Sequence, residues 1–315
     1  MNKRLDSPIG LALAPLRVCL VDMNAGHANQ AMRCFRGLVS AFFERARALN
    51  PGLPCDIVEV SPRDTGATIP RDADIYISSG GPGSPFDGDG TEWLADYASF
   101  LDGFADRAAG GEGDPQGYFG ICFSFELLVH HFRVASLHKK THRKFGIMPV
   151  YPTADGQKHP LYEPFGDRLF AFEHRNWEVV DVDEMRLAEL GGRVLARESR
   201  DGHSKGRSVV SFALGRGIEG VLFHPEADRA GVMNWVSRPE EAEAFRAAYG
   251  EKTYQAMLRT VDDPARLART YALFVPGWLT RRFNALAQRR GYRELATPAH
   301  HGEAFAEAAP RAASA

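Results

Sequence analysis

Between residues 16 and 132, short apolar runs alternate with longer stretches whose apolar residues recur every three or four positions. The runs at 16–21, 55–60, 75–78 and 117–121 are followed by Asp22, Ser61-Pro62, Ser79-Gly80 and Cys122. Their length and the breaks after them mark them as strands, the one at 16–21 as a buried strand. The 29–49 segment puts Met32, Phe35, Leu38, Val39 and Phe42 on one helical face, and 90–108 does the same with Trp93, Leu94, Tyr97, Phe100 and Phe104. A third helix is expected over 123–132. This alternation predicts an α/β fold with a mainly parallel, doubly wound sheet. Ligands of such sheets bind beyond the carboxyl ends of the strands, where Gly80-Gly81-Pro82-Gly83 and Cys122 fall.

From 144 to 223 the rhythm changes. Strand-like runs at 145–150, 169–172, 178–182, 193–197 and 209–213 have no long helix between them, which predicts an antiparallel excursion. A core strand at 221–223 follows. Past 237, helical spacing over 240–260 and 264–290 predicts a C-terminal helical extension, and the Ala-rich 294–315 segment a disordered tail. The expected organisation is an N-terminal lead over 1–15, one domain over 16–236, the extension over 237–293 and the tail.

Composition narrows the function classes. The 38 basic and 40 acidic residues nearly cancel, so charge makes no case for nucleic acid or a membrane surface. Asp6, Pro8 and Pro15 interrupt the mildly apolar N-terminus, against a signal peptide, and no apolar run approaches the ~20 residues of a membrane span. Cys19, Cys34, Cys55 and Cys122 form no CxxC pair, which fits a reducing cytoplasm better than a disulfide framework or a zinc site.

Three short motifs carry chemistry. Cys122 sits where a strand turns into a helix, with the small Gly120 and Ser124 two positions to either side, as a strained nucleophile turn requires. A helix N-terminus favours the thiolate, and the Phe123 amide would face an oxyanion. Alone, the same cysteine reads equally well as an inert buried side chain. Gly80–Gly83 can present free amides to an anion but matches neither a Walker loop nor GxGxxG. In His224-Pro225-Glu226 the carboxylate can orient the imidazole as a base toward Cys122. His130, His131, His138 and His142 lie among Lys139, Lys140, Arg143 and Lys144, which reads as a solvated basic loop and not as a metal site.

The three motifs, in this order, resemble the class I (triad-type) glutamine amidotransferase family over roughly 16–236. The resemblance implies Cys122 as nucleophile on a glutamine side-chain amide, His224 as base and Glu226 as its orienter. It further implies a γ-glutamyl thioester, with an oxyanion hole at the Gly81 and Phe123 amides. The 173–179 segment is similar to the family's substrate-gripping strand, with Asn176 and Trp177 as binding candidates. Two positions depart from the pattern. Ser124 replaces a usual Gly, and Glu126 replaces a usual Gln, a form more like the γ-glutamyl hydrolase branch. Glu126 would prefer a cationic group such as a substrate ammonium.

Three readings follow. The first is a cysteine hydrolase releasing ammonia from glutamine to a separate synthetase or acceptor, since no ATP-binding segment is visible. The second is a γ-glutamyl hydrolase or transferase acting on a larger γ-glutamyl amide without a partner. The third is a non-catalytic regulatory module. No cofactor or metal is expected.

Overall fold

The computed structural model describes residues 13–110, 116–200 and 207–299. Most of the expected N-terminal lead and tail lie outside them. The chain runs β1 (Leu16–Val21), α1 (Ala31–Leu49), β2 (Cys55–Val60), α2 (Pro62–Thr65), β3 (Ile75–Ser78), α3 (Glu92–Gly110), β4 (Gly117–Ile121) and α4 (Phe123–Phe132). It continues through β5 (Ser136–Pro152), α5 (Ala154–Gln157), β6 (Leu169–Val180), α6 (Glu184–Glu189), β7 (Arg193–Arg197), β8 (Val209–Leu214) and β9 (Ile218–Val221). Four helices close it: α7 (Arg229–Val236), α8 (Pro239–Tyr249), α9 (Glu251–Val261) and α10 (Leu267–Arg290).

One nine-stranded sheet has the order β2-β1-β3-β4-β9-β8-β6-β5-β7. The pairs from β2 to β9 are parallel, and every pair from β9 onward is antiparallel. β7 also pairs with β8, so four antiparallel strands close on themselves. The sheet is therefore mixed, where the sequence had suggested a mainly parallel one. β3, β4 and β9 are buried at every residue, which is why β3 and β4 read as apolar runs; β9 spans Ile218–Val221 and not the expected 221–223, because its buried Glu219 interrupts the apolar pattern.

The expected antiparallel excursion is present, but its strands are longer than their apolar runs. β6 joins the runs at 169–172 and 178–182 into one strand. β5 begins at Ser136 and so contains the stretch read as a solvated basic loop. That reading is corrected by charge pairing. Lys140 reaches Glu178 at 3.2 Å, and Lys144 reaches Glu198 at 2.8 Å, both lysines largely buried.

The C-terminal helices differ from a simple extension. α10 belongs to the main core: Phe274 and Trp278 pack on Phe119 of β4 at 6.2 and 5.1 Å between ring centroids. Its Trp278, Arg281 and Arg282 side chains donate to buried Glu219 of β9 at 2.5–2.6 Å. The helix expected at 240–260 is two, α8 and α9, broken at Gly250 with φ +82°. With α7 they bury Val236, Phe245, Tyr254 and Met257 against Phe145 and Phe172 of β5 and β6, forming a second, smaller core. Among the described residues no helix is long and apolar enough to cross a membrane.

Candidate active site

Parallel strands β3, β4 and β9 end side by side, and each contributes to one cleft of about 650 Å³. Cys122 follows β4 at the start of α4 with φ 51° and ψ −108°. A non-glycine residue pays about 1–3 kcal/mol for such a backbone and keeps it only when its surroundings enforce it. Here the Cys122 amide donates to Val221 O at 2.8 Å, extending the β4–β9 ladder into the turn. A Cβ on Gly120 would come within 3.0 Å of the Tyr118 hydroxyl and 3.1 Å of Leu128, so the approach to the turn admits little more than glycine.

Ser124 is fully buried, and its hydroxyl is satisfied. It lies 2.8 Å from Ser78 Oγ and donates to Ser79 O at 2.6 Å, while the Tyr97 hydroxyl donates to Ser78 Oγ at 2.9 Å. The larger residue at this position is thus absorbed by a hydroxyl network between β3, α3 and α4.

His224 lies just past β9, its amide bonded to Phe172 O of β6 at 2.8 Å. Its Nδ1 is 2.9 Å from Glu226 Oε1. Gly80 leaves room for the imidazole beside the thiol: a Cβ there would stand 2.9 Å from His224 Cε1 and 3.2 Å from Cys122 Cβ. Burial opposes the imidazolium, yet Glu226 and the Cys122 sulfur outweigh it and hold the His224 pKa well above 6.5. Burial pushes the Cys122 thiol up while His224 pulls it down. Cys19 and Cys34 are pushed up to about 12 chiefly by burial, Cys34 even with Arg33 Nη2 donating to its sulfur at 3.4 Å.

The structure brings Cys122, His224, Glu226, Gly81, Glu126, Asn176 and Trp177 to the walls of this one cleft. Phe123 stands apart. Its ring is buried, with the Arg63 guanidinium 4.1 Å above it. Glu126, one helical turn past the cysteine, is 3% exposed and lines the cleft, its amide donating to Cys122 O at 2.9 Å. Burial raises its pKa to about 8 despite Arg175 and His224 nearby.

Sequence reasoning missed several residues that shape the site. Arg63, from α2, donates to Met23 O at 2.7 Å and Pro82 O at 2.9 Å and so fixes the glycine turn. Nothing local to Arg63 signals this, because its partners are 19 and 40 residues away. His174 packs against Trp235 with ring centroids 4.1 Å apart and tilted by 58°, and its carbonyl lies 3.9 Å from Cys122 Sγ. Burial, with His224 and Arg143 nearby, lowers its pKa to about 3. Arg143 pairs with Glu241 of α8 and donates to His174 Nε2 at 3.3 Å. Two of the histidines read as part of a solvated basic loop lie in α4 and meet acids: His130 is 3.0 Å from Asp89 and His131 2.7 Å from Asp102. Among the described residues no group of three or more His, Cys, Asp or Glu is placed to hold a metal ion.

The fold is that of class I glutamine amidotransferase-like proteins. Over 91% of this chain and all of the other, it is similar to a glutamine amidotransferase from Methylobacillus flagellatus, with TM-score 0.57 and 18% identity. Over 88% of this chain and 98% of the other, it is similar to a glutamine amidotransferase from Thermotoga maritima, with TM-score 0.51 and 14% identity. No protein-family model and no curated protein matches the sequence.

Proposed function

We propose that this chain is a cysteine hydrolase that cleaves the side-chain amide of glutamine, with Cys122, His224 and Glu226 as its triad. Cys122 Sγ attacks the amide carbon and its proton passes to His224. The charge on the tetrahedral oxygen falls at the amides of Gly81 and Phe123. Collapse breaks the C–N bond, His224 returns the proton to the leaving nitrogen, and ammonia departs from a γ-glutamyl thioester. Water, deprotonated by His224, then releases glutamate and the thiol. Asn176 and Trp177 line the substrate's path, and Glu126 meets its ammonium. Ammonia passes to a separate acceptor or synthetase partner. Residues 16–295 act as one catalytic unit, because α10 and the strand ends share a core.

The observation that carries this reading is the positive-φ cysteine at a strand–helix turn, facing a histidine whose far nitrogen is held by a buried glutamate. The test is ammonia and glutamate release from glutamine by the purified chain beside Cys122→Ala. Release by the wild type that the variant lacks supports the reading; equal release by both proteins removes it.

A second reading is favoured by Glu126 and by the cleft's extension past the triad to Asn29, Gln30 and Asn234. On that reading the substrate is a larger γ-glutamyl amide, hydrolysed or transferred without a partner. Faster turnover of γ-glutamyl conjugates than of free glutamine selects it.

A further inference from the structure

We infer that Arg175 is a positioning residue for the substrate strand, holding the backbone of 174–177 against the nucleophile through its bond to the Trp177 carbonyl. The inference rests on Cys122 being that nucleophile. Along β6 the pairing with β5 is interrupted: Lys139 pairs with Trp177 and Lys144 with Arg175, leaving four β5 residues opposite Asn176 alone. A bulge of this kind removes the ladder that ordinarily fixes a strand. It does so at the point where His174 and Asn176 line the cleft and the His174 carbonyl approaches Cys122 Sγ at 3.9 Å.

Arg175 supplies the missing constraint. Its side chain is 0% exposed, and Nη1 donates to Trp177 O at 2.7 Å, spanning Asn176. Nε and Nη2 donate to Glu173 and Glu198, each at 2.7 Å. The planar guanidinium thus ties the Trp177 carbonyl at the edge of the bulge to two carboxylates on the other side. Those carboxylates are anchored in turn. Lys144 lies 2.8 Å from Glu198 and 3.7 Å from Glu173, and Lys140 lies 3.9 Å from Glu198. The anchoring reaches β5, β6 and the end of β7, so the bulge is braced by charge from beneath while its backbone stays open to a ligand. The same guanidinium is the foremost cation favouring ionised Glu126 across the cleft.

The decisive variant is Arg175→Lys. It keeps the charge among Glu173 and Glu198 but cannot also reach the Trp177 carbonyl, so the fold is retained while the brace is lost. Steady-state kinetics on the γ-glutamyl amide that the wild type cleaves, normalised to alkylatable Cys122, should show KM raised about tenfold or more with kcat within about threefold. Hydrogen–deuterium exchange should quicken about tenfold or more in the 174–178 segment alone. Arg175→Met combined with Glu173→Gln, which removes cation and carboxylate together, should show the same pattern. An unchanged KM, or a loss spread over kcat, melting temperature and the whole exchange map, overturns the inference. If the wild type cleaves no γ-glutamyl amide, the enzymatic reading fails alone. Exchange then still decides Arg175, because unchanged protection at 174–178 in both variants removes the brace.

Discussion

Glu126 and Glu219 are both almost fully buried, yet their surroundings are opposite. Glu219 accepts from Trp278, Arg281 and Arg282, with His159 3.4 Å away, and although burial works against its charge these cations bring its pKa down to about 2. Glu126 makes no such bond to the described chain, and burial takes its pKa up to about 8. The first carboxylate is consumed by the fold, where it joins β9 to α10. The second is left unspent at the wall of a cleft. A buried carboxylate that is fully paired keeps its charge within the architecture, whereas one without such partners keeps its proton.

The largest expected effect comes from breaking the satisfied member. Glu219→Ala leaves Arg282 buried without its carboxylate, and urea unfolding should show a loss of about 3–5 kcal/mol. A loss below about 1 kcal/mol would mean the cluster contributes little and the contrast with Glu126 is not energetic.

Glu126→Gln sharpens the comparison through pH. In the folded chain Glu126 keeps its proton up to about 8, against 4.5 for an ordinary glutamate. Its contribution is therefore fully present below about 4.5 and is lost as pH rises toward about 8. Removing the ionisable group should stabilise the protein progressively over that window, by roughly 1.4 kcal/mol per pH unit at most. Thermal melts at pH 5 and pH 8 read the difference. An equal shift at both would show that Glu126 is already ionised. Glu219 and Glu198, both brought to about 2, act in the reverse sense: their stabilisation is present above about 4.5 and is lost as pH falls toward 2.

Glu226 stands between the extremes, with Oε1 bound to His224 and Oε2 buried with no hydrogen-bond partner among the described residues. Glu226→Gln lowers the His224 pKa and removes the cation that favours the Cys122 thiolate. Iodoacetamide labelling of Cys122 at pH 7 should then slow severalfold. An unchanged rate would detach Glu226 from the thiol chemistry. The smallest effect is expected from Ser124→Gly. It removes a buried hydroxyl from the Ser78–Ser79 network at about 1–2 kcal/mol by chemical denaturation, and it should leave kcat within about threefold.

How much of this was legible in the sequence depended on the range of the forces involved. Strands β1 to β4 and the helices α1 and α3 follow from apolar periodicity, because each has to pack an apolar stripe or face wherever the chain goes. Cys122 and His224 were legible because a small-residue turn and a His-Pro-Glu run are local. The full lengths of β5 and β6 were not. Their charged residues are satisfied only across the sheet, as Lys140 and Lys144 are by Glu178 and Glu198. Arg175 likewise looked like an ordinary polar residue beside the candidate Trp177.

The sequence alone therefore determined the α/β alternation, the position of the thiol at a strand end and the histidine–glutamate pair. All three depend on spacing within a few residues. Tertiary structure alone decided that the sheet is half antiparallel and that α10 shares the main core. It also decided which buried charges are paired. Pairing of that kind joins groups tens to hundreds of residues apart, as Arg63 meets Pro82 and Arg143 meets Glu241, and no local pattern encodes such a distance.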